Sequence, residues 1–289
     1  MRVRPLAGAL GAEIEDVRLD ALDAESFDQL HAAFLEYLVI FVKDQRLEPG
    51  DLVEFARRFG ELDVRPYTVP VPLDQNPDHP EVLEVRKEPD DHGVNFGGSW
   101  HADVTFRENP YLGSLLYALE VPPAGGDTLW TNLYLAFETL SPGLQALLGG
   151  LKARHSSWRD ANPQRMATHY GVKTANINLS AAERLLENAE NGEALHPVVR
   201  THPETGKRSL FVNRAYTKHF EDMTVEESEP LLKLLYAHCI RPEFTCRYRW
   251  QPRTLALWDN RCTLHNPLND YHGHRRVLHR VSIHGARPV

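Results

Sequence analysis

The sequence predicts a mainly β protein decorated by a few helices, either a β-barrel or a jelly roll. Short, wholly apolar runs rich in β-branched residues recur along the chain, LVIFV (38–42) being the clearest. Helical periodicity is confined to a few segments between them. The candidate metal ligands are also split. His101 and Asp103 stand as His-x-Asp in SWHADVTF, and His265 lies far downstream in WDNRCTLHNPLNDY. Strands of a barrel or jelly roll bring such distant residues together.

Phe27, Leu30, Ala33, Phe34 and Tyr37 recur at helical spacing and predict a helix over 24–37, with LVIFV as a buried strand directly after it. Pro49 opens and Gly60 closes a second helix, from Glu48 to Phe59. EVLEV (81–85) and LGSLLYAL (112–119) read as strands. Asn132 caps a helix running through Leu140, and Ser141-Pro142 opens another. Thr224, followed by Glu226 and Glu227, starts a helix to about His238. EFTCRYRW (243–250), TLALWD from Thr254, and RRVLHRVSIHG (275–285) complete the strands.

No Ser/Gly-rich linker, low-complexity run or internal repeat divides the 289 residues, which predicts one domain over 1–289. The net charge of −8, with both signs interspersed, argues against nucleic-acid binding. No apolar run reaches the ~18 residues that span a bilayer, so no membrane partner is expected. The apolar stretch of MRVRPLAGALGAEIEDV is too short for a signal peptide. Cys239, Cys246 and Cys262 form neither a paired framework nor a CxxC motif, and read as buried small apolar residues of a reduced, cytoplasmic protein.

On a strand, side chains alternate, so His101 and Asp103 would face one ion while Trp100 and Ala102 face away. His265 would arrive from another strand. Two imidazoles and a carboxylate form the facial triad of non-heme Fe(II) oxygenases, with positions left open. The same donors suit Zn(II), so a zinc-dependent hydrolase stays open by ligand type alone. Arg276 and Arg280 follow in HRRVLHR and can grip carboxylates bidentately, which favours iron and a keto acid. They are four apart, so on a strand they share a face, while Arg275 points oppositely into a surface ion pair. Asp259 and Asn260 read as stabilising a turn. His272, His274 and His284 are surplus to a three-donor site.

Four segments, SWHADVTF, PPAGGDTLW, HPVVRTHPETGKRSLFVN and LALWDNRCTLHNPLNDYHGHRRVLHR, strongly resemble the taurine dioxygenase (TauD/TfdA) family of 2-oxoglutarate-dependent oxygenases. The resemblance runs from about residue 5 to the end. It implies a double-stranded β-helix (jelly-roll) core and a homo-oligomer, dimer or tetramer. His101, Asp103 and His265 match the family's metal ligands. Arg276 and Thr128 match the residues that bind the distal carboxylate of 2-oxoglutarate, and Arg280 matches the one that binds the substrate's anionic group. Asp103 argues against a halogenase, which replaces this carboxylate by a small residue.

The segment 61–98 departs from the taurine enzymes. Arg65, Thr68 and Gly97 fall where they carry a histidine, a tyrosine and an asparagine around taurine, so polar groups for the ammonium are missing and the pocket is expected to be wider. Val104 and Phe106 are candidate apolar walls. The expected function is that of an Fe(II)/2-oxoglutarate-dependent dioxygenase using O2 to hydroxylate a C–H bond of a small organic anion. That anion would be a sulfonate, alkyl sulfate or aryloxyalkanoate rather than taurine, with succinate and CO2 as co-products. A zinc hydrolase and a non-catalytic anion-binding relative are the alternatives.

Overall fold

In the computed structural model, which describes residues 1–64, 74–91, 97–157 and 192–289, the chain opens on two strands that the sequence did not announce. These are β1 (Arg2–Pro5) and β2 (Ala12–Glu15), paired antiparallel and too short for a periodic signal. Asp23 accepts a hydrogen bond from Ser26 N and caps α1 (Ala24–Tyr37), which buries Leu30, Ala33 and Phe34. Leu38, expected in the next strand, instead adopts a left-handed conformation (φ 64°) and turns the chain directly into the fully buried β3 (Val39–Val42). In α2 (Pro49–Arg57), Glu48 N donates to the Asp51 carboxylate. The helix ends before Phe59.

β4 (Asp74–Gln75) precedes β5 (Leu83–Lys87), which begins two residues later than EVLEV. β6 (Gly113–Glu120) and β7 (Thr128–Asn132) follow. The Asn132 carboxamide oxygen accepts from Tyr134 N and Leu135 N and opens α3 (Leu133–Glu138); Ser141 caps α4 (Pro142–Gly149). The polar-rich strands β8 (Lys152–Ser156), β9 (Glu193–Pro197), β10 (Val199–Thr201), β11 (Arg208–Leu210) and β12 (Thr217–Phe220) carried no clean alternation. Thr224 and Glu227 form a reciprocal capping box at α5 (Val225–Cys239). β13 (Thr245–Tyr248), β14 (Leu255–Asp259), β15 (Thr263–Pro267) and β16 (Arg276–Ile283) close the fold.

Eight strands form one sheet in the order β1-β2-β3-β14-β6-β16-β5-β4, and β13-β7-β15 form a smaller one. The two face each other across an aromatic core. Phe41 stacks on Tyr248 with centroids 3.7 Å apart, and Trp130 sets its edge against Phe41 and Trp258 at 5.3 and 6.0 Å. This is the jelly roll. Helices α1 and α2 cover the outer face of the large sheet, packing Leu30, Phe34, Leu52 and Phe55 against Ile40, Leu257 and Val281. Behind the small sheet, α3 and α5 pack Leu133, Phe137, Leu232 and Leu235 against Leu264, Leu210 and Val212. Each such side chain stabilises the fold by roughly 1.5–3 kcal/mol when fully buried. The small sheet is thus clamped from both sides, and β15 is held rigidly where it carries His265.

Candidate active site

His265 lies in β15 opposite Trp130 of β7, and on its other edge it meets His101. His101 N donates to His265 O at 3.1 Å and His265 N to His101 O at 2.8 Å. Residues that exchange both bonds stand directly opposite, so the two imidazoles share a face, with ring centroids 4.1 Å apart.

Asp103, two residues on, turns its carboxylate to the same point. The chain leaves extended pairing after His101 and enters a turn, with Arg107 N bonded to Val104 O at 2.9 Å. Val104 has φ 46°, a costly conformation for a β-branched residue. Alternation from Trp100 to Asp103 nonetheless holds, because the turn begins only at Asp103. Trp100 and Ala102 pack into the core behind the small sheet, facing away as expected.

Asp103 Oδ1 lies 3.6 Å from His101 Nε2 and 3.7 Å from His265 Nε2, and all three residues are buried. These atoms can hold one metal ion. His101 Nδ1 is 2.7 Å from Ser99 O, an acceptor only, so Nδ1 donates there and Nε2 is the nitrogen turned toward Asp103. Burial, then the neighbouring His101 and Arg280, hold His265 well below the usual histidine range, leaving it neutral and fit to ligate. Burial works to raise the Asp103 carboxyl. Arg280 and the two imidazoles outweigh it and keep the group well below the usual carboxylate range.

The other carboxylate oxygen, Oδ2, is turned away from the imidazoles. It accepts from Ser114 Oγ at 2.9 Å and Asn260 Nδ2 at 3.1 Å, and it pairs with Arg280 Nη2 at 2.5 Å. Arg280, expected to grip substrate, is thus held against the Asp103 carboxylate, with Trp258 beneath it at 5.7 Å. Asn260, expected only to stabilise a turn, touches Asp103. Asp259 does brace the turn, accepting from Arg261 N, Nε and Nη2 and from His202 Nε2.

Arg276 is buried on the same face of β16 as Arg280, and its Nε and Nη2 have no protein acceptor. The rings of Trp250 and Tyr271 flank it at 5.7 and 5.8 Å, and Trp250 Nε1 donates to Thr128 Oγ1 at 3.0 Å. A buried guanidinium with unpartnered donors beside a hydroxyl fits the carboxylate of a ligand. Arg275 points outward to Glu88 and Glu120, as expected.

Val104 and Phe106 cluster with Tyr111 and, packed against them, Tyr216. Tyr216 lies edge-on to Phe106 at 5.1 Å and to His101 at 6.5 Å. Neither tyrosine was singled out from the sequence, where no spacing marks them. Ser114 left a faint cue, as the one hydroxyl early in the apolar run LGSLLYAL. Gly97 does not widen the site in the way expected. Its φ is +72°, and an added Cβ would stand 2.7 Å from His101 Cε1, so the imidazole fills that space. Arg65 and Thr68 lie outside the described residues. His272, His274 and His284 belong to no metal-capable group among the described residues. The three cysteines are free and buried.

A jelly roll that sets two histidines and an aspartate around one point, with buried arginines alongside, defines the class of α-ketoglutarate-dependent dioxygenases. The comparisons agree. The family model described as "Taurine catabolism dioxygenase TauD, TfdA family" matches residues 2–282, and the chain belongs to that family. It is 33% identical to an alpha-ketoglutarate-dependent sulfate ester dioxygenase of Pseudomonas putida, covering 99% of this chain and 90% of that one. It is 34% identical to an alkylsulfatase of Acinetobacter baylyi, over 99% and 85%. A crystal structure of a taurine dioxygenase from Burkholderia xenovorans superposes with a TM-score of 0.80 at 34% identity, covering 100% of this chain and 92% of that one. The chain is therefore an oxidoreductase that uses 2-oxoglutarate and O2, and the hydrolase and non-catalytic alternatives fall away. No helix among the described residues is long and apolar enough to cross a membrane.

Proposed function

We propose that this dioxygenase binds Fe(II) at His101, Asp103 and His265 and hydroxylates a C–H bond of a small, amine-free organic anion, with alkyl sulfate esters as the favoured class. The observation that carries the reading is the convergence of Oδ1 and two Nε2 atoms on one point, with Arg276 buried on β16 of the facing sheet and its Nε and Nη2 without acceptors. Nitrogen and oxygen donors without cysteine suit Fe(II) in an open facial site. When bound, iron supplies the redox chemistry that couples decarboxylation of 2-oxoglutarate by O2 to substrate oxidation.

The chain's own residues bind and orient. Arg276, with Thr128, takes the distal carboxylate of 2-oxoglutarate. Arg280 supplies positive charge beside the metal for the substrate's anionic head. Val104, Phe106 and Tyr216 present an apolar wall for its carbon chain. The Asp103 carboxylate at this point has both oxygens engaged, so it offers no free partner to an ammonium group. Two relatives named for sulfate esters support the choice of class. Hydroxylation of the carbon bearing the sulfate places one O2 oxygen there and the other in succinate. The hydroxylated carbon then expels sulfate and becomes an aldehyde.

A panel of alkyl sulfates, sulfonates including taurine, and aryloxyalkanoates, scored by succinate formed with Fe(II), ascorbate and O2, tests this. An alkyl sulfate should give the highest kcat/KM, and taurine should be poor. Taurine as the best substrate would overturn the substrate class and leave the metal reading intact.

A further inference from the structure

Ser114 hydrogen bonds leave its proton a single destination. Its Oγ accepts from Arg280 Nη2 at 3.1 Å and from Asn260 Nδ2 at 3.3 Å, so its own O–H goes to Asp103 Oδ2. The Asn260 amide is fixed in the same way. Its Oδ1 accepts from Trp258 Nε1 at 3.1 Å and from Asp103 N at 3.3 Å, which turns Nδ2 toward Asp103. Three donors therefore converge on Oδ2, all from fully buried side chains, while Oδ1 faces the two imidazoles. Chelation of an ion through both oxygens would compete with these buried donors for Oδ2.

We infer that Ser114 and Asn260 are positioning residues that hold Asp103 as a one-oxygen metal ligand and so keep a coordination position open. The inference rests on the metal reading of the triad. A facial triad donates three atoms and leaves room for a chelating keto acid and O2. A carboxylate that swung to bind through both oxygens would occupy one of those positions and compete with 2-oxoglutarate at the metal. Arg276, which takes the far end of the co-substrate, would be unaffected.

The test is titration of Co(II) into the wild type and into Ser114→Ala, Asn260→Ala and the double variant, followed by titration of 2-oxoglutarate, read by the Co(II) visible spectrum. In the variants the spectrum before 2-oxoglutarate should shift as a second carboxylate oxygen enters, and the apparent Kd for 2-oxoglutarate should rise about 10–100-fold. A variant with the wild-type spectrum and wild-type 2-oxoglutarate affinity overturns the inference. Lowered thermal stability with an unshifted spectrum also overturns it, because that is what a packing role alone would give. If the double variant loses its fold, Ser114→Ala decides alone, since it removes one buried hydroxyl and leaves the strand's apolar packing in place. A wild type that binds no Co(II) would overturn the metal reading and this inference together.

Discussion

At the residue scale, Arg276 shows what a ligand-shaped gap looks like. Burial pulls its guanidinium down from its usual value, and its Nε and Nη2 lack acceptors, a state that native interiors avoid unless a partner arrives. Arg276→Ala should therefore raise the 2-oxoglutarate requirement far more than it changes substrate KM. Losing a charge-assisted, buried contact costs on the order of 2–5 kcal/mol. Steady-state kinetics with 2-oxoglutarate varied would show it, and an unchanged KM for 2-oxoglutarate would move the clamp elsewhere. His101→Ala, Asp103→Ala and His265→Ala should each end succinate formation while circular dichroism stays native, because each removes one of three protein donors. Full turnover in any one would exclude that residue from the triad. The convergence of these three residues was legible in the sequence because the motif around them is dense and each side chain offers one metal-ligand atom. Ser114 and Tyr216 were not, since a buried serine and a partly buried tyrosine are ordinary core residues until tertiary contacts reveal their neighbours.

At the element scale, caps and turns decided most of the agreement. Helices α1, α3, α4 and α5 begin where Asp23, Asn132, Ser141 and Thr224 stand, because a capping side chain satisfies orphan N–H groups locally. Strands β8 to β12 were invisible for the converse reason. Their stability comes from partners distant in sequence, and polar residues such as His155, Arg200 and Ser209 are buried among them. The His-x-Asp segment alternates as the sequence predicted, and what the sequence did not mark is the turn that takes over at Asp103, with Val104 at φ 46°. The α5 cap offers a clean test. Thr224→Ala removes the hydroxyl that accepts from Glu227 N, leaves Thr224 N bonded to the Glu227 carboxylate, and should destabilise the protein by about 1 kcal/mol, lowering Tm by roughly 2–4 °C. Activity should survive, because α5 supports β15 through Leu232, Leu235 and Leu264 rather than touching the ligands. A drop in activity at temperatures where the variant stays folded would mean that α5 sets the position of His265.

At the scale of the whole molecule, the class of fold followed from many short strands and a split ligand set, and the particular jelly roll followed from family resemblance. What neither carried was the burial of titratable groups across the fold. His155 is fully buried, and burial with the neighbouring His196 holds it well below the usual histidine range. His196 is also lowered, chiefly by burial. For Asp259 burial opposes ionisation, but Arg261 and His202 outweigh it and hold the carboxyl below its usual range. All three shifts are depressions, so the unfolded chain binds protons that the folded protein refuses. Stability is then fully present above the unfolded values and falls as pH drops. The histidines act first, below about pH 6.5, each removing up to about 1.4 kcal/mol per pH unit. Asp259 adds its share below about pH 4. Urea midpoints should therefore be level from about pH 8 to 7 and decline from about pH 6.5 downward. The decline should be shallower in His155→Asn, which removes one of the buried histidines from the titration. A midpoint unchanged down to about pH 5 would mean that the buried histidines take up protons as readily in the fold as outside it.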